Sequence, residues 1–358
     1  MRIGLLIYGS LETISGGYLY DRQLADYLHR WGDQVTIVSL PWRSYFRHLG
    51  DNLSARFQGQ LGRLEVDVLL QDELNHPSLF WLNQRLRSVV DYPIVSIVHH
   101  LRSSELHPAW QNRLYRWVER HYLKSVDGFV YNSQTTRQVV QSLVGTGQPG
   151  VVAVPGGDRL KPNLSEAQIV ARAHRPGPLR VFFLGNLIPR KGLQTLLAAL
   201  ASLPGDLWNL TVTGSLEMDR KYTHMIRRQI AANGLAENVI FTGSLSEAEL
   251  VQTLETQHLL AVPSSYEGYG IAYLEGMGFG LPAIATTAGA AREIITPGVN
   301  GYLIDPQDVR RLAEILKQLA EERDMLVELS REARCRFLAQ PSWEQSAARI
   351  RAFLLELQ

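Results

Sequence analysis

The chain has 358 residues, of which 45% are hydrophobic and 20% are charged, and its formal net charge is +1. This composition is typical of a globular protein and excludes a disordered or fibrous one. The balanced charge gives no reason to expect nucleic acid as a partner, because nucleic-acid binding normally needs a strongly basic face. The length exceeds what one hydrophobic core usually supports, so we expect two domains.

The single cysteine, Cys335, cannot form an internal disulfide, which favours a reducing, cytoplasmic location. The uncharged, largely apolar stretch at residues 276–291 contains too many glycine, threonine and proline residues to predict a membrane-spanning helix. We therefore predict a cytoplasmic protein whose membrane contact, where it has one, is peripheral and at the inner face.

In the first half of the chain, short apolar runs alternate with longer amphipathic segments, which predicts βαβ units and a parallel sheet. The predicted strands are 3–8, 35–40, 66–70, 94–98, 128–131 and 151–154, and the predicted helices include 18–30, 78–90 and 110–125. These elements define an N-terminal domain, residues 1–160. A polar stretch with several prolines follows, so we place a linker at residues 161–178.

The alternation then restarts and predicts a second domain, residues 179–340, with the same architecture. Its strands are predicted at 180–185, 210–213, 239–241, 259–262, 283–285 and 301–304, and helices at 192–203, 219–233, 247–256 and 309–321. The last helix, within 341–358, is expected to pack on the N-terminal domain. The predicted fold is α/β, with two Rossmann-like, doubly wound parallel-sheet domains facing a cleft lined by the carboxyl ends of the strands.

The strongest chemical signal is a pair of carboxylates, Glu267 and Glu275, with seven residues between them, directly after a predicted strand. Gly268 and Gly270 allow the backbone to approach a ligand closely, and the helix that starts near Ile271 directs free N–H groups towards it. A phosphorylated ligand with many hydroxyl groups suits this turn. The alternative is a loop glutamate and a helix-start glutamate that only interacts with the helix dipole.

Together with the Gly-Leu-Pro that ends at Pro282, this pattern resembles the donor site of retaining GT-B glycosyltransferases of family 4, also called glycosyl transferases group 1. The resemblance covers nearly the whole chain. It implies that Glu267 binds hydroxyls of the donor sugar and that Glu275 binds the nucleotide ribose. The donor sugar and diphosphate would meet the backbone of Tyr269, Gly270 and Ile271.

A second signal is the adjacent pair Arg190 and Lys191, in the turn that follows a predicted strand and Gly185. Positioned cations stabilise the charge that a diphosphate leaving group gathers, so this pair can take the place of a metal. The family has an arginine where Asn186 stands, which makes Arg190 the second cation here. The alternative is a pair of solvated charges at a helix start, which the helix dipole disfavours.

In the first domain, Gly16 and Gly17 resemble the family's N-terminal glycine loop, whose backbone faces the donor diphosphate, although such glycines often only form a turn. His99 and His100 follow the strand 94–98. A lone histidine is more often structural, but the resemblance places His99 near the donor sugar and acceptor. Because neighbouring strand residues point to opposite faces, His100 is the alternative.

Two further positions match the family less specifically: Ser133 follows a strand and either lies near the acceptor or only caps a helix, and Glu293 either supports the site or is structural. The predicted helix 110–124 mixes aromatic and basic residues. They are Trp110, Arg113, Arg116, Trp117, Arg120 and Lys124. This helix either packs on the sheet as an ordinary amphipathic helix or also offers a surface for anionic lipid or a lipid-linked acceptor.

These features predict a retaining hexosyltransferase that uses a nucleotide-sugar co-substrate, no other cofactor and no catalytic metal, since no Asp-x-Asp occurs. A UDP-sugar is favoured by family frequency, and GDP-mannose stays open. The acceptor is a hydroxyl on a glycan, a lipid-linked molecule or a small molecule. The alternatives are a sugar-nucleotide epimerase of the same architecture and a non-catalytic nucleotide-sugar-binding protein.

Overall fold

The computed structural model describes residues 1–357, which form two compact units. Unit 1 comprises Met1–Pro155 together with the C-terminal segment from Pro341 onward, and unit 2 comprises Gly156–Gln340. Each unit contains its own six-stranded sheet in which every pairing is parallel. This architecture confirms the predicted fold class of two doubly wound parallel-sheet domains.

The sheet of unit 1 has the strand order β2-β1-β3-β4-β5-β6. Its strands are β1 Arg2–Tyr8, β2 Gln34–Leu40, β3 Val68–Asp72, β4 Ile94–Val98, β5 Gly128–Tyr131 and β6 Gly150–Val152. All residues of β3, β4 and β5 are buried. Strands covered by helices on both faces read as continuous apolar runs, which explains why the sequence located them.

The helices of unit 1 cover both faces of this sheet. They are α1 Gly16–Arg30, α2 Tyr45–Leu49, α3 Ala55–Gly62, α4 His76–Leu79, α5 Leu82–Leu86, α6 Ala109–Leu123 and α7 Gln134–Val144. The single helix predicted at 78–90 is wrong. The Asn52 side-chain oxygen accepts hydrogen bonds from the backbone N–H groups of Trp81 (2.8 Å) and Leu82 (3.1 Å). The helix is therefore interrupted here, and α4 and α5 are separate.

The C-terminal helix, Trp343–Glu356, belongs to unit 1. Its Trp343 ring meets the Tyr20 ring edge-on at 5.6 Å, and Ser346 donates to the carbonyl of Val154 at 2.6 Å. Arg351 donates to the buried carboxylate of Asp33 at 2.7 Å. The helix is therefore fixed to the rest of unit 1 by packing and by an ion pair.

The sheet of unit 2 has the order β12-β11-β10-β7-β8-β9. Its strands are β7 Leu179–Leu184, β8 Trp208–Thr213, β9 Val239–Gly243, β10 Leu259–Ala261, β11 Ala283–Thr286 and β12 Gly301–Ile304. The chain builds outward from β7 to β9 and then returns to place β10 on the other side of β7. The loops after β7 and β10 therefore lie at the point where the winding reverses, where such sheets bind ligands.

Seven helices surround the second sheet. They are α8 Glu166–Ala173, α9 Leu193–Ala201, α10 Arg220–Ala232, α11 Glu247–Thr256, α12 Ile271–Gly278, α13 Val309–Glu321 and α14 Arg323–Leu338. The predicted linker 161–178 instead contains α8, which starts with a reciprocal cap between Ser165 and Gln168 and buries Ile169. Arg172 of α8 also donates to the carbonyl of Gly280 at 3.0 Å, so this segment is part of unit 2. No helix among residues 1–357 is long and apolar enough to span a membrane.

Candidate nucleotide-sugar site

The loops after β7 and β10 approach each other closely in unit 2. Gly192 has φ +74°, and a Cβ atom there would lie 2.1 Å from the carbonyl oxygen of Pro263. The backbone N–H of Ser265 donates to the carbonyl of Arg190 at 2.8 Å. Glycine is therefore required at 192, because any larger residue would separate the two loops.

This approach brings three of the predicted catalytic residues together. The Lys191 ammonium Nζ lies 2.5 Å from Glu267 Oε1, and Arg190 lies 3.8 Å from Glu267 Oε2. Ser264, which the sequence did not single out, donates its hydroxyl hydrogen to Glu267 at 2.6 Å. A Cβ atom on Gly185 would lie 3.3 Å from the Lys191 side chain, so glycine leaves room for it. One carboxylate and two cations leave a net positive charge at this point.

The charge of the Glu267 carboxylate is fixed by these neighbours. Burial opposes its ionisation, but Lys191, Arg190 and the hydrogen bond from Ser264 outweigh burial and lower the pKa of Glu267 to about 2. Burial lowers the pKa of Lys191, and Glu267 opposes that effect. At neutral pH Glu267 is therefore an acceptor for hydroxyl hydrogen bonds and does not donate.

The start of α12 provides backbone donors beside this group. Gly270 precedes the helix with φ +107°, and a Cβ atom there would lie 2.3 Å from the Tyr273 ring. No side chain caps the N-terminus of α12 at Ile271, so its first N–H groups remain suited to an anion. Tyr269 is buried, and its hydroxyl accepts a 2.8 Å hydrogen bond from Gln340.

The second predicted carboxylate, Glu275, lies on α12 in an ion pair that the sequence did not reveal. Arg159 donates twice to Glu275 Oε1, through Nε at 2.9 Å and through a second nitrogen, and also to Glu247 at 2.6 Å. Burial raises the pKa of Glu275, and Arg159 opposes that effect. An open depression lies beside this pair, and its lining includes Arg159, Lys161, Glu247 and Val251.

In unit 1, the predicted glycine loop forms the start of α1. Ser15 caps the helix by accepting from the backbone N–H of Tyr18 at 3.3 Å, and Gly16 and Gly17 are its first two residues. The first turn has no acidic side chain, so the positive end of the helix dipole is not neutralised. A Cβ atom on Gly17 would lie 3.1 Å from the His99 ring, which explains a glycine there.

The two histidines after β4 have different partners. His99 Nε2 lies 3.2 Å from Oδ1 of Asp21, a fully buried residue of α1, whereas His100 Nε2 lies 2.8 Å from Glu105 Oε1. Burial lowers the pKa of His99, but Asp21, with smaller contributions from Asp72 and Glu73, outweighs burial and raises it to about 9. The sequence did not single out Asp21.

The two remaining predicted residues are Ser133 and Glu293. Ser133 is fully buried and caps α7, where its oxygen accepts from the backbone N–H of Thr136 at 2.9 Å. Glu293 ends a short 3₁₀ helix, Ala290–Glu293, and its carbonyl accepts from Arg336 at 3.2 Å. Ser133 therefore has a capping role, one of the two alternatives the sequence allowed.

Unit 1 also contains a buried group that includes Glu73, His76 and Glu119, whose side-chain atoms lie within 4.8 Å of one another. The two nitrogens of His76 already contact the Tyr45 hydroxyl at 3.1 Å and the Glu73 carbonyl at 3.0 Å. Burial lowers the pKa of His76 to about 4 and raises that of Glu119 to about 7. Because both ring nitrogens of His76 are already engaged, we interpret the group as a buried structural cluster of polar side chains.

Two family models match the chain. "Glycosyl transferases group 1" matches residues 165–336, and "Glycosyltransferase Family 4" matches residues 16–158. Between them they cover most of both units, each of which has a Rossmann-like parallel sheet. The chain belongs to the GT-B glycosyltransferases of family 4.

The chain is also similar in sequence to individual glycosyltransferases. A GDP-mannose-dependent alpha-(1-6)-phosphatidylinositol monomannoside mannosyltransferase of Mycobacterium tuberculosis is 29% identical over 67% of this chain, and the match spans 64% of that relative. A phosphatidyl-myo-inositol mannosyltransferase of Mycobacterium leprae is 27% identical over 98% of this chain and 95% of its own.

Solved structures share the fold at low identity. A sucrose-phosphate synthase from Thermosynechococcus elongatus has a TM-score of 0.84 and 21% identity, covering 99% of this chain and 98% of its own. Anabaena HepE in complex with UDP and glucose has a TM-score of 0.79 and 21% identity, covering 99% and 100%. At this identity the likeness supports the fold alone.

Proposed function

We propose that this glycosyltransferase moves a hexose from a nucleotide diphosphate sugar to a hydroxyl acceptor, with retention of the anomeric configuration and without a catalytic metal. The observation that carries the proposal is the group of Glu267, Lys191 and Arg190 where the winding of the unit 2 sheet reverses. No finding favours the epimerase alternative.

The three side chains suit distinct parts of the donor. Glu267, ionised at neutral pH, accepts hydrogen bonds from sugar hydroxyls. Lys191 and Arg190 offer positive charge to the diphosphate as it leaves, and the uncapped start of α12 adds backbone donors. This charge arrangement does the work that a divalent cation does in metal-dependent transferases.

For the donor, the relatives that are named as GDP-mannose-dependent support GDP-mannose over the UDP-sugar that family frequency favours. The test is release of nucleoside diphosphate from GDP-mannose, UDP-glucose and ADP-glucose, with and without acceptor sugars. We expect the fastest release from GDP-mannose and a strong loss of release in Lys191→Met. No release from any nucleotide sugar, or equal release by Lys191→Met, would contradict the proposal.

Retention and metal independence are tested on the product and with a chelator. We expect proton NMR of the freshly formed glycoside to give the α-anomer from an α-linked donor, and EDTA to leave the rate unchanged. An inverted product, or activity that EDTA abolishes and Mg²⁺ or Mn²⁺ restores, would refute these two parts of the proposal separately.

For the acceptor, we propose a molecule presented at an anionic membrane surface, and two mycobacterial relatives are named for phosphatidylinositol-based acceptors. In α6, Val118 is fully buried, whereas Trp110 and Trp117 are 59% and 45% exposed beside the exposed Arg116 and Arg120. Exposed aromatic and basic side chains on one helix suit an anionic bilayer surface.

Co-sedimentation with vesicles tests this surface. We expect binding to vesicles that contain phosphatidylinositol and not to pure phosphatidylcholine, with weaker binding at high salt. The double substitution Arg116→Gln/Arg120→Gln should reduce binding, whereas Arg228→Gln, at an exposed position of α10 in unit 2, should not. Equal binding to both vesicle types would contradict the proposal.

A further inference from the structure

We propose that Asp21 is a positioning residue that holds the His99 imidazole as a charged hydrogen-bond donor towards the substrate, so that His99 does not act as a general base. This inference rests on the proposed function, because it assigns His99 a part in transfer. It concerns a residue of α1 that lies outside the motifs described from the sequence.

The geometry links the two residues directly. Asp21 is fully buried, its Oδ1 lies 3.2 Å from His99 Nε2, and its Oδ2 has no hydrogen-bond partner among residues 1–357. A buried carboxylate without other compensation is costly unless an opposite charge lies beside it. The His99 ring is the group that supplies this charge.

Three further contacts fix the position of His99, two at its ring and one at its backbone. The backbone of Gly17 packs closely against the ring, since a Cβ atom on this residue would lie only 3.1 Å from His99 Cδ2. The Tyr20 ring meets His99 edge-on at 5.3 Å, and Asn132 donates to the His99 carbonyl at 2.8 Å. With Nε2 directed at Asp21, Nδ1 is the ring nitrogen left to meet a ligand.

The ionisable groups that face His99 are mainly acidic. They are Asp21 on α1 and, at the end of β3, Asp72 and Glu73. Burial and the proximity of Asp21 raise the pKa of Asp72 to about 7, and burial raises that of Glu73 to about 8. Asp21 is the acidic residue whose carboxylate contacts the His99 ring, at 3.2 Å. A protonated imidazole can donate Nδ1–H to a sugar or phosphate oxygen, but it has no lone pair to take a proton.

The experiment is an NMR titration of the His99 ring nitrogens, together with the pH profile of transfer, in the wild type and in Asp21→Asn. We expect wild-type His99 to stay protonated up to a pH of about 9. Asp21→Asn should lower its pKa by about 1–3 units and move the alkaline fall of the transfer rate down by the same amount. A purely structural role for Asp21 would lower stability without moving the titration.

Asp33→Asn is the matched control, because Asp33 is also a buried aspartate of unit 1 but pairs with Arg351. It should lose stability and leave the His99 titration and the pH profile unchanged. A neutral His99 at pH 7 in the wild type would overturn the proposal even if Asp21→Asn does not fold. An unchanged titration in folded Asp21→Asn, or unchanged transfer by His99→Ala, would also overturn it.

A different result would show that the proposed function itself is wrong. If the wild type transfers from no nucleotide sugar, the function is contradicted, and the titration alone still decides whether Asp21 sets the charge of His99.

Discussion

Replacing Lys191 with methionine keeps the aliphatic part of the side chain and removes the ammonium that lies 2.5 Å from Glu267. The Glu267 carboxylate then remains buried, with only the Ser264 hydroxyl at 2.6 Å and Arg190 at 3.8 Å. Removing one partner of a buried ion pair costs about 3–5 kcal/mol in folding stability. Because two partners of Glu267 remain, we expect a loss of about 3 kcal/mol for Lys191→Met.

The assay is urea unfolding followed by circular dichroism, with Lys191→Met, Glu267→Gln and the double variant forming a cycle. The double variant should recover most of the loss, because neither charge is left without its partner. Lys317→Met removes an exposed lysine of α13 in the same unit and should change stability by less than about 0.5 kcal/mol. A Lys191→Met variant as stable as this control would refute the reasoning.

The same ion pair predicts a pH dependence with a defined sign. The pKa of Glu267 is lowered from 4.5 to about 2. The contribution of the ionised carboxylate to folding stability is therefore fully present above pH 4.5 and is lost as the pH falls towards 2. In Lys191→Met the pKa of Glu267 should rise, so the loss of folding stability relative to the wild type should shrink as the pH is lowered.

In transfer assays we expect Lys191→Met to lower kcat at least about tenfold, since removal of one electrostatic donor commonly lowers kcat by more than that.

Three further predictions concern other positions. Gly192→Ala should destabilise the fold by more than Gly234→Ala, because both glycines have positive φ but only Gly192 would place a methyl carbon 2.1 Å from a carbonyl oxygen; equal losses in urea would contradict this. Ser264→Ala should cost about 1.5–3 kcal/mol, because it removes a hydrogen bond to the charged Glu267, and a loss below about 0.5 kcal/mol would contradict this. The contribution of His99 to stability should be full below pH 6.5 and disappear as the pH rises through about 9, and a wild-type curve no steeper than that of His99→Gln would contradict this.

The sequence predicted the strands well because parallel strands buried on both faces are continuous apolar runs. It also predicted that the informative loops follow the strands, and the structure brings Lys191 and Glu267 into contact from two of these loops. Their roles with a donor stay predictions. The helix expected at 78–90 and the linker expected at 161–178 depended on local composition, whereas contacts with Asn52 and Gly280 decided the structure there.

The partners of the predicted residues could not be found from the sequence. Arg159 lies 116 residues from Glu275, and Asp21 lies 78 residues from His99. In the sequence, Arg159 and Asp21 cannot be told apart from ordinary charged residues, because only the fold places each beside its partner. Long-range ion pairs of this kind carry no local pattern, and they determine the charge of the groups that the motifs do reveal.

The C-terminal helix has a consequence for how the protein is made. Unit 1 is assembled from two segments that lie on either side of unit 2 in the chain, since Tyr20 packs on Trp343 and Asp33 pairs with Arg351. During translation, Asp33 can pair with Arg351 only after the whole of unit 2 has been synthesised. A nascent N-terminal domain is therefore incomplete for most of synthesis, and a fragment that stops at Pro155 would carry an uncovered hydrophobic face where Trp343 and Ile350 belong.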